Sequence, residues 1–119
     1  MNYSELVVWQ KAMDLVTDIY QVTASFPNEE RFELASQSRR AAVSIPSNIA
    51  EGHGRKTTGA YLNHISIAYG SLMELETQIQ IALRLNLINA EKTSSLLDKT
   101  TEIGNMLNGL KKSLAAPKE

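Results

Sequence analysis

The sequence predicts an all-α protein: an antiparallel up-down-up-down four-helix bundle that assembles as a homo-oligomer. Three observations carry that reading. Apolar residues recur at three and four residues in four separate stretches, no stretch alternates as a strand does, and the connections are short. The helices are expected at about residues 5–25, 31–51, 59–87 and 90–114 of a single domain spanning 1–119.

The first helix carries two apolar stripes. Trp9, Met13, Val16, Tyr20 and Thr23 make one, predicted to be buried; Val8, Ala12, Leu15, Ile19 and Val22 make a second, a quarter-turn or more away. Phe26-Pro27-Asn28 closes the helix, because proline disfavours helical geometry in the residue before it, and Asn28 can cap a short turn.

The second helix is the most particular stretch of the chain. Its inner face is predicted to be Leu34, Ser38, Ala41, Ala42, Ile45 and Ile49, mostly small, while Val43, Pro46 and Ala50 point elsewhere beside Arg39, Arg40 and Ser47. Pro46 lacks an amide donor and crowds the carbonyl of Ala42, so a kink or break is expected there. Gly52 or Gly54 can take the left-handed conformation that ends a helix, and Thr57 or Thr58 can cap the next.

The third helix has a core stripe of Tyr61, Ile65, Ala68, Tyr69, Leu72, Leu75, Ile79, Ala82 and Leu83, with Ile67, Ile81, Leu85 and Ile88 roughly opposite. Gly70 in mid-helix costs about 1 kcal/mol relative to alanine, and a close helix crossing is the expected compensation. Asn89 caps the last helix, whose single dry face is Leu96, Thr100, Ile103, Leu107, Leu110 and Leu114; Lys111 and Lys112 suit its C-terminal dipole, and Pro117 bars continuation. Two apolar stripes on each of helices one and three exceed what a soluble monomer exposes, so self-association is expected.

Composition narrows the function. The 119 residues are 43% apolar and 21% charged with formal net charge −1, which does not indicate a globally basic nucleic-acid binder. Absence of cysteine excludes disulfides and thiolate metal sites. No apolar run approaches the roughly 18 residues of a membrane span, and Met1-Asn2-Tyr3-Ser4-Glu5 lacks the basic start and apolar core of a signal peptide, so no membrane partner and a cytoplasmic location are expected. The two histidines have no Glu-x-x-His partner, no phosphate-cradling glycine loop or nucleophile elbow occurs, and Glu74 and Glu76 point different ways. No enzyme, metal or cofactor is therefore expected. Locally, Arg39, Arg40, Arg55 and Lys56 stand against the one acid Glu51. Repeated around a ring, such a segment could bind phosphate backbone; alternatively, the arginines pair with Glu51, Glu33 or Glu74 across subunits.

The segments Trp9-Gln10-Lys11-Ala12, Phe26-Pro27, residues 36–52 (SQSRRAAVSIPSNIAEG) and residues 67–78 (IAYGSLMELETQ) resemble the four-helix-bundle proteins of the 23S rRNA intervening-sequence family, over almost the whole chain. The resemblance implies a pentameric ring of up-down bundles. It also implies kinship with the accessory variability protein of diversity-generating retroelements, and hence RNA, DNA, a reverse transcriptase or another protein as partner. Arg39, Arg40, Arg55 and Lys56 match basic positions of that family, whereas Glu33, Ala60, Asn63 and His64 depart from its usual glycine, acid, base and aromatic. The function expected is a non-enzymatic oligomeric scaffold that binds nucleic acid or a nucleic-acid enzyme; the alternative is an oligomer for protein interaction alone, its arginines used in subunit interfaces.

Overall fold

The computed structural model describes residues 1–116, without the side chains of residues 30–32. Four long helices carry the fold: α1 (Val7–Thr23), α2 (Ser36–His53), α3 (Thr58–Arg84) and α4 (Ala90–Ala115). No strand occurs among the described residues. Consecutive helices pack side by side and α4 closes back on α1, so each helix faces one interior. The molecule is 53 Å long and 23 by 20 Å across. That length is close to the roughly 40 Å of a 27-residue helix plus its loops.

The core comes from one stripe per helix. On α1 it is Val8, Ala12, Leu15 and Ile19, the second of the two stripes. The Trp9 stripe, expected to be buried, lies instead at the surface: Met13 and Tyr20 are exposed, Trp9 and Val16 are half-buried, and only Thr23 is inside. On α2 the predicted inner face is buried throughout, and Pro46 joins it. The helix runs unbroken through Pro46, so the expected break does not occur. On α3 and α4 the stripes fall where the periodicity puts them, with Ile65, Leu72, Leu75, Leu96, Ile103 and Leu107 inside.

Helical turns start earlier before α2 than expected. Asn28–Glu30 is already one helical turn, and Arg31–Ala35 winds wider, as a π-helix, before α2 proper. The extra residue in such a turn lets Leu34 and Ala35 form a small second core with Phe26 and Ala82.

The helix ends obey local chemistry. The Thr57 hydroxyl accepts from the Ala60 amide at 3.1 Å, and Asn89 Oδ1 accepts from the Lys92 amide at 2.7 Å. α3 stops three residues short of the expected Leu87 in a Schellman motif. The Leu87 amide donates to Ala82 O at 2.9 Å and the Asn86 amide to Leu83 O at 3.0 Å, with Asn86 left-handed at φ 60°. Pro117 lies outside the described residues.

Glycines act differently from expectation. No described glycine has positive φ, so Gly52 and Gly54 are not left-handed caps. Gly52 is instead the close crossing: a β-carbon there would sit 2.8 Å from His64 Cβ and 2.9 Å from Tyr61 Cδ1. Gly70, expected at such a crossing, faces open space.

Candidate functional site

The four basic residues do not form one patch. Arg39 and Arg40 lie on the first turns of α2, while Arg55 and Lys56 lie in the loop beyond its end. A rise of 1.5 Å per residue separates Arg40 from that loop by about 20 Å. Arg39 and Arg40, though adjacent in sequence, are 100° apart around the helix and meet different surroundings.

Arg39 turns towards α1. Its Nε donates to Thr23 Oγ1 at 2.9 Å, one Nη donates to Tyr20 O at 3.3 Å, and the guanidinium stands 4.6 Å from the Tyr20 ring centroid. Thr23 is itself buried and donates to Ile19 O at 2.6 Å. The cation thus caps the carbonyl end of α1 and pins α2 to it. Arg39→Ala is expected to cost about 1–3 kcal/mol, read by urea denaturation. Arg39→Lys should recover little of it, because an ammonium cannot reproduce the fork and the stacking together. Arg40 is exposed, and donates to Ser36 Oγ at 2.8 Å.

At the other end, the Gly52 crossing brings α2 and α3 close enough for a ladder of polar side chains. Ser44 Oγ and Ser71 Oγ share a hydrogen bond of 2.8 Å. Asn48 Nδ2 donates to Ser44 O at 2.9 Å and to Ser44 Oγ at 3.1 Å. Asn48 Oδ1 is 3.0 Å from His64 Nδ1, and His64 Nε2 accepts from Arg55 Nε at 3.1 Å. Lys56 is exposed beside Arg55. In the sequence His64 has no Glu-x-x-His partner, and neither it nor Asn48 stands out as a polar contact. The available signal was spacing: Ser44 and Asn48 are four apart and His64 and Ser71 seven apart, so each pair shares a helix face.

Two apolar surfaces have no partner within the protomer. One is a groove between α1 and α2, lined by Tyr3, Trp9, Met13, Val43, Pro46 and Ala50, with Tyr3 packed edge-on against Trp9 at 5.3 Å. The groove continues past Val43 to Tyr20, Arg39 and Arg40. The other is a ridge along α3, where Ile67, Ile81 and Leu85 are 44%, 41% and 52% exposed. Exposed Gly70 and Glu74 lie between them on the same side. Ile88, expected with this ridge, packs on the core instead.

Among the described residues no group of three or more His, Asp or Glu could hold a metal ion, and no helix is long and apolar enough to cross a membrane.

A search of curated proteins found no match to this chain. The fold resembles a crystal structure of a protein of unknown function from the S23 ribosomal protein family of Bacteroides thetaiotaomicron. The TM-score is 0.81 at 25% identity, covering 89% of this chain and 99% of that one. The family model of the 23S rRNA-intervening sequence protein matches residues 4–109. With a match over nearly its whole length, this chain of four long helices belongs to the 23S rRNA-intervening sequence protein family.

Proposed function

We propose that this protein is a non-enzymatic scaffold, an antiparallel up-down bundle assembled as a homo-oligomeric ring, with nucleic acid or a nucleic-acid enzyme bound at the Arg55–Lys56 end. One observation carries the assembly: a single protomer presents an apolar groove on α1 and α2 and a separate apolar ridge on α3. By the rise per residue the groove runs about 17 Å from Arg39 to Ala50 and the ridge about 27 Å from Ile67 to Leu85. The two surfaces differ in shape, so a contact between them is head-to-tail, which generates a ring where the rotation closes. Charge supports the same pairing, since Arg40 flanks the groove and Glu74 stands mid-ridge, both exposed. Gly70, with open space around it, gives a neighbouring backbone room to approach the ridge. Tyr20 beside Arg39 at one end of the groove and Trp9 with Ala50 at the other support the antiparallel order. Five copies is the ring size implied by the family resemblance.

The two basic pairs then divide between the two uses open to them. Arg39 and Arg40 line the groove and serve structure and subunit contact, whereas Arg55 and Lys56 stand at one end, where a ring repeats them. Titration with a structured RNA at about 50 mM salt tests the second use. Binding should weaken roughly tenfold in the Arg55→Ala/Lys56→Ala variant, with a shallower salt dependence. Binding unaffected by salt and by that variant, or none at all, would leave the protein-interaction oligomer as the better reading. On either reading Arg40→Ala should dissociate the ring in light scattering, since Arg40 lines the groove.

A further inference from the structure

The polar ladder between α2 and α3 is directional from Asn48 to Arg55. Asn48 Nδ2 is committed to Ser44 O and Oγ, so the Asn48 atom facing His64 is an oxygen, which can only accept. His64 Nδ1 must therefore carry the proton. In a neutral imidazole Nε2 then has a lone pair, and that is the atom on which Arg55 Nε donates. The arrangement needs His64 with one proton: a second, on Nε2, would set two N–H donors and two positive charges against each other across 3.1 Å.

We infer that His64 is a one-proton latch on Arg55: the neutral imidazole holds the guanidinium in one orientation at the end of the bundle, and protonation releases it. The groups around His64 are few. Glu51 on α2 places Oε2 3.7 Å from Nδ1. Arg55 stands on the Nε2 side, with Lys56 next along the loop. Tyr61 on α3 lies against the Gly52 crossing, edge-on to His53 of α2 at 5.8 Å. Burial raises the Tyr61 phenol above its ordinary value, so it stays neutral where histidines titrate. His53 is the other titratable ring at this end. The ladder's asparagine and serines do not titrate, so protonation of His64 is the event that breaks it. The latch goes beyond the nucleic-acid reading and stands whether or not Arg55 meets a phosphate.

The test is nitrogen-15 NMR on the full-length protein, without nucleic acid, across a pH series. Expected are the Nδ1–H tautomer of His64 at neutral pH and an Arg55 Nε–H resonance protected from exchange, with that protection lost in step with His64 protonation. Asn48→Leu should move the proton to Nε2 and abolish the protection already at neutral pH. Because Asn48→Leu also removes the hydrogen bonds to Ser44, Arg55→Gln is the second variant. It takes the cation from beside Nε2 at an exposed position and leaves Asn48 in place, so the Nδ1–H tautomer should persist at neutral pH. An Nε2–H tautomer in the wild type, Arg55 protection indifferent to His64 protonation, or loss of the Nδ1–H tautomer in Arg55→Gln would each overturn the latch.

Discussion

Gly52→Ala is expected to destabilise the protein by about 1–3 kcal/mol, although alanine is ordinarily the better helix former. The added carbon would stand 2.8 Å from His64 Cβ, 2.9 Å from Tyr61 Cδ1 and 3.3 Å from Tyr61 O. The tyrosine ring can turn aside, but His64 Cβ and the Tyr61 carbonyl belong to the α3 backbone or adjoin it, so relief requires the helices to part. Against a typical domain stability of about 5–15 kcal/mol the loss is large, and at fixed protein concentration it should lower the melting temperature by roughly 5–15 °C. Gly52→Asn separates this cause from a left-handed cap. Asparagine tolerates the left-handed region, so a cap would survive it, whereas the crossing should suffer more than with alanine. Gly109→Ala is the control. It lies in α4, where an added β-carbon would meet nothing within 4 Å beyond its own helix, and should gain up to about 1 kcal/mol.

Ile67→Glu/Ile81→Glu is expected to abolish self-association while leaving the protomer folded. Both residues are more than two-fifths exposed in the protomer, so the carboxylates meet water there and helix content by circular dichroism should not change. In the assembly they would carry unpaired charge into an apolar groove beside Glu74, which already supplies the ridge with an acid. A loss of at least about 2 kcal/mol per contact, some thirtyfold in affinity and repeated at every interface, should leave monomers at micromolar concentration. Met13→Glu on the groove side should do the same. Mixing the ridge and groove variants should give no assembly larger than a dimer, because each bears only one intact surface and a ring needs both.

Periodicity alone made the four helices legible, and on α2 (Pro46 apart), α3 and α4 it also told inside from outside. On α1 it did not. Two apolar stripes have the same period, and the heavier one, with Trp9 and Tyr20, reads as core until the position of α2 is known. The glycines were misassigned for a related reason. Gly52 and Gly70 are equally small in sequence, and only the crossing of α2 over α3 shows which of them a neighbour touches. The π-helical turn over Arg31–Ala35 has no composition signal, since it depends on Leu34 and Ala35 reaching Phe26 and Ala82. Asn86 was readable as a left-handed cap, but the apolar run through Leu85, Leu87 and Ile88 masked it. Of the candidate site, the identities of the basic residues were visible and their partners were not. Arg39 and Arg40 are neighbours in the chain, yet one is spent on Tyr20 and Thr23 while the other faces solvent. The Ser44–Asn48–His64–Arg55 ladder joins two helices, so no single stretch of sequence contains it.

The mass of the purified protein in dilute buffer, by sedimentation or light scattering, bears most directly on the claim that groove and ridge shelter each other. A closed ring should give a discrete multiple of the 13.2 kDa chain, about 66 kDa for five copies, and the Ile67→Glu/Ile81→Glu variant should fall to a single chain. A soluble 13.2 kDa species for the unmodified protein at concentrations of tens of micromolar would contradict it.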